Sequence, residues 1–190
     1  MEIHLPLQGD WLVFWGGDTK QDNQHHGNQF QNYAIDFVKP TDIDQTPSSL
    51  EACKSYGQEV ISVADGTVVQ LVDAFNDNPL QHWDEYNPNG NHIIVRHNES
   101  LYSVYSHLQP GIIAKKGETV TEGQVLGKVG NSGRTTQPHL HFALQSVAGF
   151  SRNISDDSMY GLRPSFSKIV VDGKQKKLHS PSKGQVVNNG

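Results

Sequence analysis

One cysteine, Cys53, stands among the 190 residues, so no disulfide can close within the chain. It reads as a small, partly buried side chain. No stretch approaches the ~20 consecutive apolar residues that a membrane-crossing helix needs, and residues 1–7 carry neither the basic start nor the apolar run of a secretory signal. The compartment is therefore not legible from the N-terminus, where a signal is either absent or already removed. Positive charge is also short: Lys and Arg number 15 against 20 Asp and Glu, for a net charge of −5. Nucleic-acid binding needs a basic face that replaces phosphate counterions, and Lys174, Lys176 and Lys177 are too few to supply one.

Helical periodicity is scarce, whereas 18 glycines fall between short runs of β-branched residues. That rhythm of short strands and turns predicts an all-β fold. Strand candidates are 10–15, 33–38, 59–63, 67–72, 92–97, 102–107, 125–129 and 140–145. Glycines at 117, 123, 127 and 130 among valines predict rigid β-structure with tight turns. Residues 73–90 hold two prolines and seven Asn or Asp, with Trp83 and Tyr86, and read as a long loop walling a site. A chain of this length predicts one domain over 1–190, with a core over about 10–146 and a loop-and-strand extension over 147–190. In that extension the polar run after Phe150 reads as a linker or loop. Residues 166–171 read as a last strand, packed on the core before a fraying Gly, Asn and Lys tail.

Ten histidines make metal or acid/base chemistry the first class to test. His139 and His141 flank Leu140 in QPHLHFALQ, and residues two apart on a strand share a face at about 7 Å. Both imidazoles can then meet one centre, or simply lie on a solvated face. Asp36 sits inside the apolar NYAIDFV, where a buried carboxylate must be paired or bound to metal; capping a strand end is the plainer reading. His25 and His26 lie in a polar loop and alone mean little. His107 ends the alternating YSVYSHL, on the same face as Tyr105 by simple alternation. Together, one carboxylate and three histidines at or near strand ends offer the N and O donors of a catalytic zinc site, with imidazoles to spare.

Over roughly residues 57–144 the chain resembles the M23 metallopeptidases, the lysostaphin and LytM type. VISVADGTVV, GNHIIVRH, YSVYSHL and VLGKVGNSGRTTQPHLHFAL stand in the family's order, with AIDF upstream. The resemblance implies an antiparallel β-sandwich or barrel-like sheet of the LytM type, built on a duplicated hybrid motif with long loops walling a groove. It also implies zinc held by a histidine, an aspartate and the second histidine of HxH. Carried over by position, the aspartate is Asp36, the HxH ligand is His141, and the two non-ligand catalytic histidines are His107 and His139. The first ligand departs from the common pattern, because four residues before the aspartate stands Asn32. NQHHGNQFQNYAIDF resembles a variant branch with an Asn-x-His motif eleven residues before the aspartate, which selects His25, with His26 as fallback.

The activity implied is zinc-dependent endopeptidase action on bacterial peptidoglycan, by metal-assisted hydrolysis, in a monomer outside the cytoplasmic membrane. The wall of the site is expected from 130–134 on one side and 73–90 on the other; Tyr105 reads first as a packing residue, with a hydroxyl near the oxyanion as the other reading. A different class is a catalytically inactive LytM-like protein that binds cell wall or activates another hydrolase; it predicts little bound zinc. A phosphocarrier on a similar sandwich is a third, but needs neither a buried aspartate nor an HxH pair.

Overall fold

In a computed structural model, residues 1–150 and 160–190 are described; most of the expected linker after Phe150 lies outside them. The described residues form thirteen strands and two short 3₁₀ turns, with no α-helix. In chain order the strands are β1 (Trp11–Trp15), β2 (Ile35–Val38), β3 (Glu59–Ile61), β4 (Gly66–Val72), β5 (Asn91–Asn98), β6 (Leu101–Leu108) and β7 (Thr119–Val120). There follow β8 (Val125–Lys128), β9 (Leu140–Gln145), β10 (Gly161–Leu162), β11 (Phe166–Val171), β12 (Lys174–His179) and β13 (Val186–Asn189).

One long antiparallel sheet runs β12-β11-β13-β1-β2-β9-β6-β5-β4-β7, with β10 added beside β9, while β3 and β8 form a separate ladder. Each strand expected from alternation is present within a few residues of its anticipated bounds. β10, β12 and β13 are not anticipated, whereas β7 falls among the glycines of 117–130, a stretch expected to be β-structure. The tail expected to fray instead folds into β12 and β13. The polar KQKK stretch hides β12, an exposed edge strand that needs no apolar face, whereas β13 inserts Val187 opposite Trp11 of β1.

Alternation divides the central strands cleanly. Ile35 and Phe37 of β2, Tyr105 of β6, and Leu140, Phe142 and Leu144 of β9 all enter the main core, joined by Val60 of β3 and Leu126 of β8. The core also takes Ile3, Leu5 and Leu7 at one end of the chain and Phe166, Ile169 and Val187 at the other. At roughly 1.5–3 kcal/mol per buried large apolar side chain, this cluster is the main force holding the sheet in register. The opposite sheet face carries a smaller cluster of Ala34, Ile94, Val104 and Ala143. Asp36, between Ile35 and Phe37, and His141, between Leu140 and Phe142, are thereby turned away from the main core. Since Asp36 pairs with His141, and His141 with Ser106, the three form one row across β2, β9 and β6.

Candidate metal centre

Asp36 is buried, and its two oxygens face different histidines. His141 Nδ1 lies 2.8 Å from Oδ1, and His25 Nε2 lies 3.0 Å from Oδ2. The nearest donor atoms of His25, Asp36 and His141 all lie within 4.8 Å of one another. His139 Nε2 stands 3.9 Å from Asp36 Oδ1. The His107 ring is 4.8 Å from that of His139 and 5.8 Å from that of His141, centre to centre. Two imidazoles and one carboxylate are a donor set that suits catalytic zinc, which keeps a fourth position open.

The loop that brings His25 to Asp36 is tied down by two asparagines. Asn23 is fully buried, with its amide donating to the carbonyls of Gly17 and Ala34 and its Oδ1 accepting from the His25 backbone N–H at 3.0 Å. Asn32 accepts from the Gly27 N–H at 2.7 Å. Where the common family pattern has a histidine, this chain therefore has a loop clamp. His26, the fallback, is exposed and stands outside the cluster. A residue that sequence reasoning missed, Gln24, donates its amide to Asp36 Oδ2 at 3.0 Å; nothing in its polar surroundings marks it out.

The two further histidines are both fixed through Nδ1. His139 Nδ1 lies 3.0 Å from the Gln137 carbonyl and His107 Nδ1 lies 2.8 Å from the Ser132 carbonyl. A carbonyl can only accept, so each neutral ring keeps its proton on Nδ1 and leaves Nε2 as a lone pair. Alternation alone would place His107 on the Tyr105 face, toward the core. A positive φ of 63° at His107 breaks the alternation and turns the ring toward the site instead. Tyr105 stays in the core, where its hydroxyl is taken up by the Val63 N–H and by Ser103. It is therefore a packing residue and not an oxyanion donor, and the expectation that it shares a face with His107 is corrected.

Electrostatics follow from burial and proximity. Burial alone would raise the Asp36 carboxyl, but attraction to His25 and His139 and hydrogen bonds from His141 and His25 hold it well below the usual range. His25 is also disfavoured by burial as a cation, yet the Asp36 charge raises it overall. Burial pushes His107 well down, and the neighbouring His139 and His141 push the same way. Burial likewise lowers His141, against the pull of Asp36.

A groove of about 500 Å³ opens over Asp36 and His139. Phe14, Trp15, Val38 and Gln24 line part of it, and Gln81, Trp83 and residues 134–137 line the rest. The expected walls are not opposed. Residues 73–90 and 130–136 are laced into a single wall by Asn78 N–H to Asn131 carbonyl, Gln81 N–H to Thr136 carbonyl and Asp84 N–H to Gly133 carbonyl. Their crossing requires glycine: Gly133 has φ +85°, and a Cβ there would lie 2.4 Å from the Gly90 nitrogen. Phe14 and Trp15 were not singled out from sequence, because a half-buried strand aromatic looks the same whether it faces a groove or a neighbour.

Comparison with known proteins matches the family model "Peptidase family M23" over residues 49–153, a stretch that includes His107, His139 and His141 and begins after His25 and Asp36. The peptidoglycan DD-endopeptidase ShyC of Vibrio cholerae serotype O1 is 44% identical over 65 residues, which are 34% of this chain and 14% of that protein. The glycyl-glycine endopeptidase ALE-1 of Staphylococcus capitis is 32% identical over 104 residues, 54% of this chain and 25% of that protein. The chain thus spans a quarter or less of the length of these two relatives. Among solved structures, the M23 metalloprotease pseudoalterin from the deep sea shares the fold, with a TM-score of 0.51, 16% identity, and coverage of 97% of this chain and 98% of that one.

Proposed function

The chain belongs to peptidase family M23, and on that footing we propose that it is a zinc-dependent endopeptidase cleaving peptide bonds of bacterial peptidoglycan outside the cytoplasmic membrane. The observation that carries this reading is the meeting of His25, Asp36 and His141 at one point, beside His139 and His107, with Asp36 and His139 lining a groove. These three residues would hold zinc. Bound there, zinc supplies Lewis acidity toward a carbonyl oxygen and toward water.

The chain's own groups do the rest. The ionised Asp36 offsets positive charge and keeps both ligand imidazoles turned inward. His139 presents a bare Nε2 at the groove floor, takes a proton from the attacking water and returns it to the departing amine. His107, with its proton on the Ser132 carbonyl, is an acceptor in its neutral form. It therefore suits orientation of the water better than donation to an oxyanion. Trp15 and Trp83 offer flat apolar contact to an extended peptide, and Arg134 offers the groove lining a cation for a peptide carboxylate. We take residues 1–190 as one catalytic unit, because strands from both ends of the sequence complete the same sheet and core, and we take that unit to act as a monomer.

The test is mass spectrometry of fragments released from purified peptidoglycan, with directly crosslinked and glycine-bridged wall as separate substrates, with and without a zinc chelator. New chelator-sensitive termini are expected, and their identity names the bond. Binding to wall with no release, by protein that contains little zinc, would replace this reading with that of an inactive wall-binding protein.

A further inference from the structure

Among the described residues, three buried side-chain polar atoms have no hydrogen-bond partner: Ser106 Oγ, His141 Nε2 and Gln145 Oε1. The first two belong together. Ser106 of β6 is the direct cross-strand partner of His141 of β9, so their side chains leave the sheet on one face. Directly opposed residues of an antiparallel pair have Cβ atoms roughly 4.5–5.5 Å apart. That separation makes the serine hydroxyl a neighbour of the imidazole on that face. Ser106 is fully buried and His141 is 3% exposed, so bulk water does not satisfy either.

We propose that Ser106 is a positioning residue for the metal centre, holding His141 through its Nε2 in the tautomer whose Nδ1 is free to bind zinc. The inference rests on the zinc reading of the site given above. A neutral imidazole carries one proton. With Nδ1 as a metal ligand, that proton must sit on Nε2, pointing away from Asp36, and a buried N–H needs an acceptor. The unclaimed acceptor on the adjoining strand is the Ser106 hydroxyl. Without metal, the Nδ1 proton is donated to Asp36 Oδ1, and Nε2 becomes a lone pair. The same hydroxyl can then donate. A serine can serve both tautomers, which an alanine or a backbone carbonyl cannot, so the ring keeps its place as metal arrives or leaves.

The measurement is the zinc dissociation constant of the full chain, by competition with a chromophoric chelator, for wild type, Ser106→Ala and Ser106→Thr. Loss of an outer partner of a ligand histidine costs roughly 10–100-fold in metal affinity. Ser106→Ala is expected to weaken zinc by that factor, with Ser106→Thr recovering most of it. Histidine side-chain ¹⁵N NMR of the zinc-loaded protein should show the His141 Nε2 proton hydrogen-bonded in wild type and Ser106→Thr, and altered in Ser106→Ala. Should Ser106→Ala not fold, Ser106→Cys, with its weak acceptor, is expected to show the same loss. Equal zinc affinity in wild type and Ser106→Ala overturns the role of Ser106 while leaving the zinc reading intact. A wild-type protein that binds no zinc overturns that reading, and this inference with it.

Discussion

A neutral imidazole is a donor at one nitrogen and an acceptor at the other, and the partners around the site decide which. His141 and His25 turn a nitrogen each toward Asp36, whereas His139 and His107 spend their Nδ1 protons on backbone carbonyls. This division predicts different losses. His141→Ala should remove zinc and hydrolysis together, with zinc read by elemental analysis of the purified protein. His139→Ala should keep most of the zinc and lower turnover roughly 10²–10⁴-fold, the usual worth of a positioned acid/base group. A site emptied by His139→Ala would reverse the assignment. For the first ligand, His25→Ala should lower zinc content and His26→Ala should not. The HxH pair and the buried Asp36 were legible because alternation fixes which face a strand residue uses. The carbonyls of Ser132 and Gln137 were not, since backbone direction leaves no mark on side-chain identity.

At the scale of elements, strands read from alternation stand where apolar and polar residues take turns, as in β2, β6 and β9. The ones missed are the two-residue β10, β12, whose polar residues are stable as an exposed edge beside β11, and the short β13, which lies in the Gly- and Asn-rich tail. His107 was placed on the wrong face because a single left-handed residue shifts the period by one, and non-glycine residues accept that conformation at a cost of about 1–3 kcal/mol. The laced wall of 73–90 and 130–136 yields another prediction. Gly133→Ala meets both a positive φ and the Gly90 backbone, so it should lower stability by roughly 2–4 kcal/mol and distort the groove. Gly173→Ala shares the positive φ of +75° but meets no atom within 4 Å, and should cost only about 1–2 kcal/mol. Urea midpoints of the two variants provide the comparison; equal losses would show that close approach at Gly133 is not what glycine is needed for.

Across the whole molecule, stability is tied to protons and, on the zinc reading proposed above, to metal. Burial lowers His92 and His97 below their ordinary 6.5, so the unfolded chain takes up protons there more readily than the folded one. Their neutral forms cost the fold nothing above about pH 6.5, and stability is lost as pH falls below that value. His25, raised by Asp36, works in the opposite sense in metal-free protein: its contribution is complete below 6.5 and is lost as pH rises through its folded value. Melting temperature measured from pH 8 to 5 with zinc bound should therefore fall on acidification, and His97→Gln should flatten that slope. An unchanged slope would remove His97 from the account. Zinc bound at a thousand times its dissociation constant adds about 4 kcal/mol, so chelation should lower the melting temperature by on the order of 10 °C.

The pairing of β1 with β13 also sets an order of events in time. Trp11 lies opposite Val187, and β1 is in turn the neighbour of β2, the strand that bears Asp36. A chain emerging from its N-terminus, from a ribosome or through a translocation pore, has its first strand long before the partner that completes it. Contacts this distant in sequence close slowly. The sheet beneath the site can thus finish assembling only after nearly all of these 190 residues are free to fold, which builds a delay between synthesis of Asp36 and its final placement.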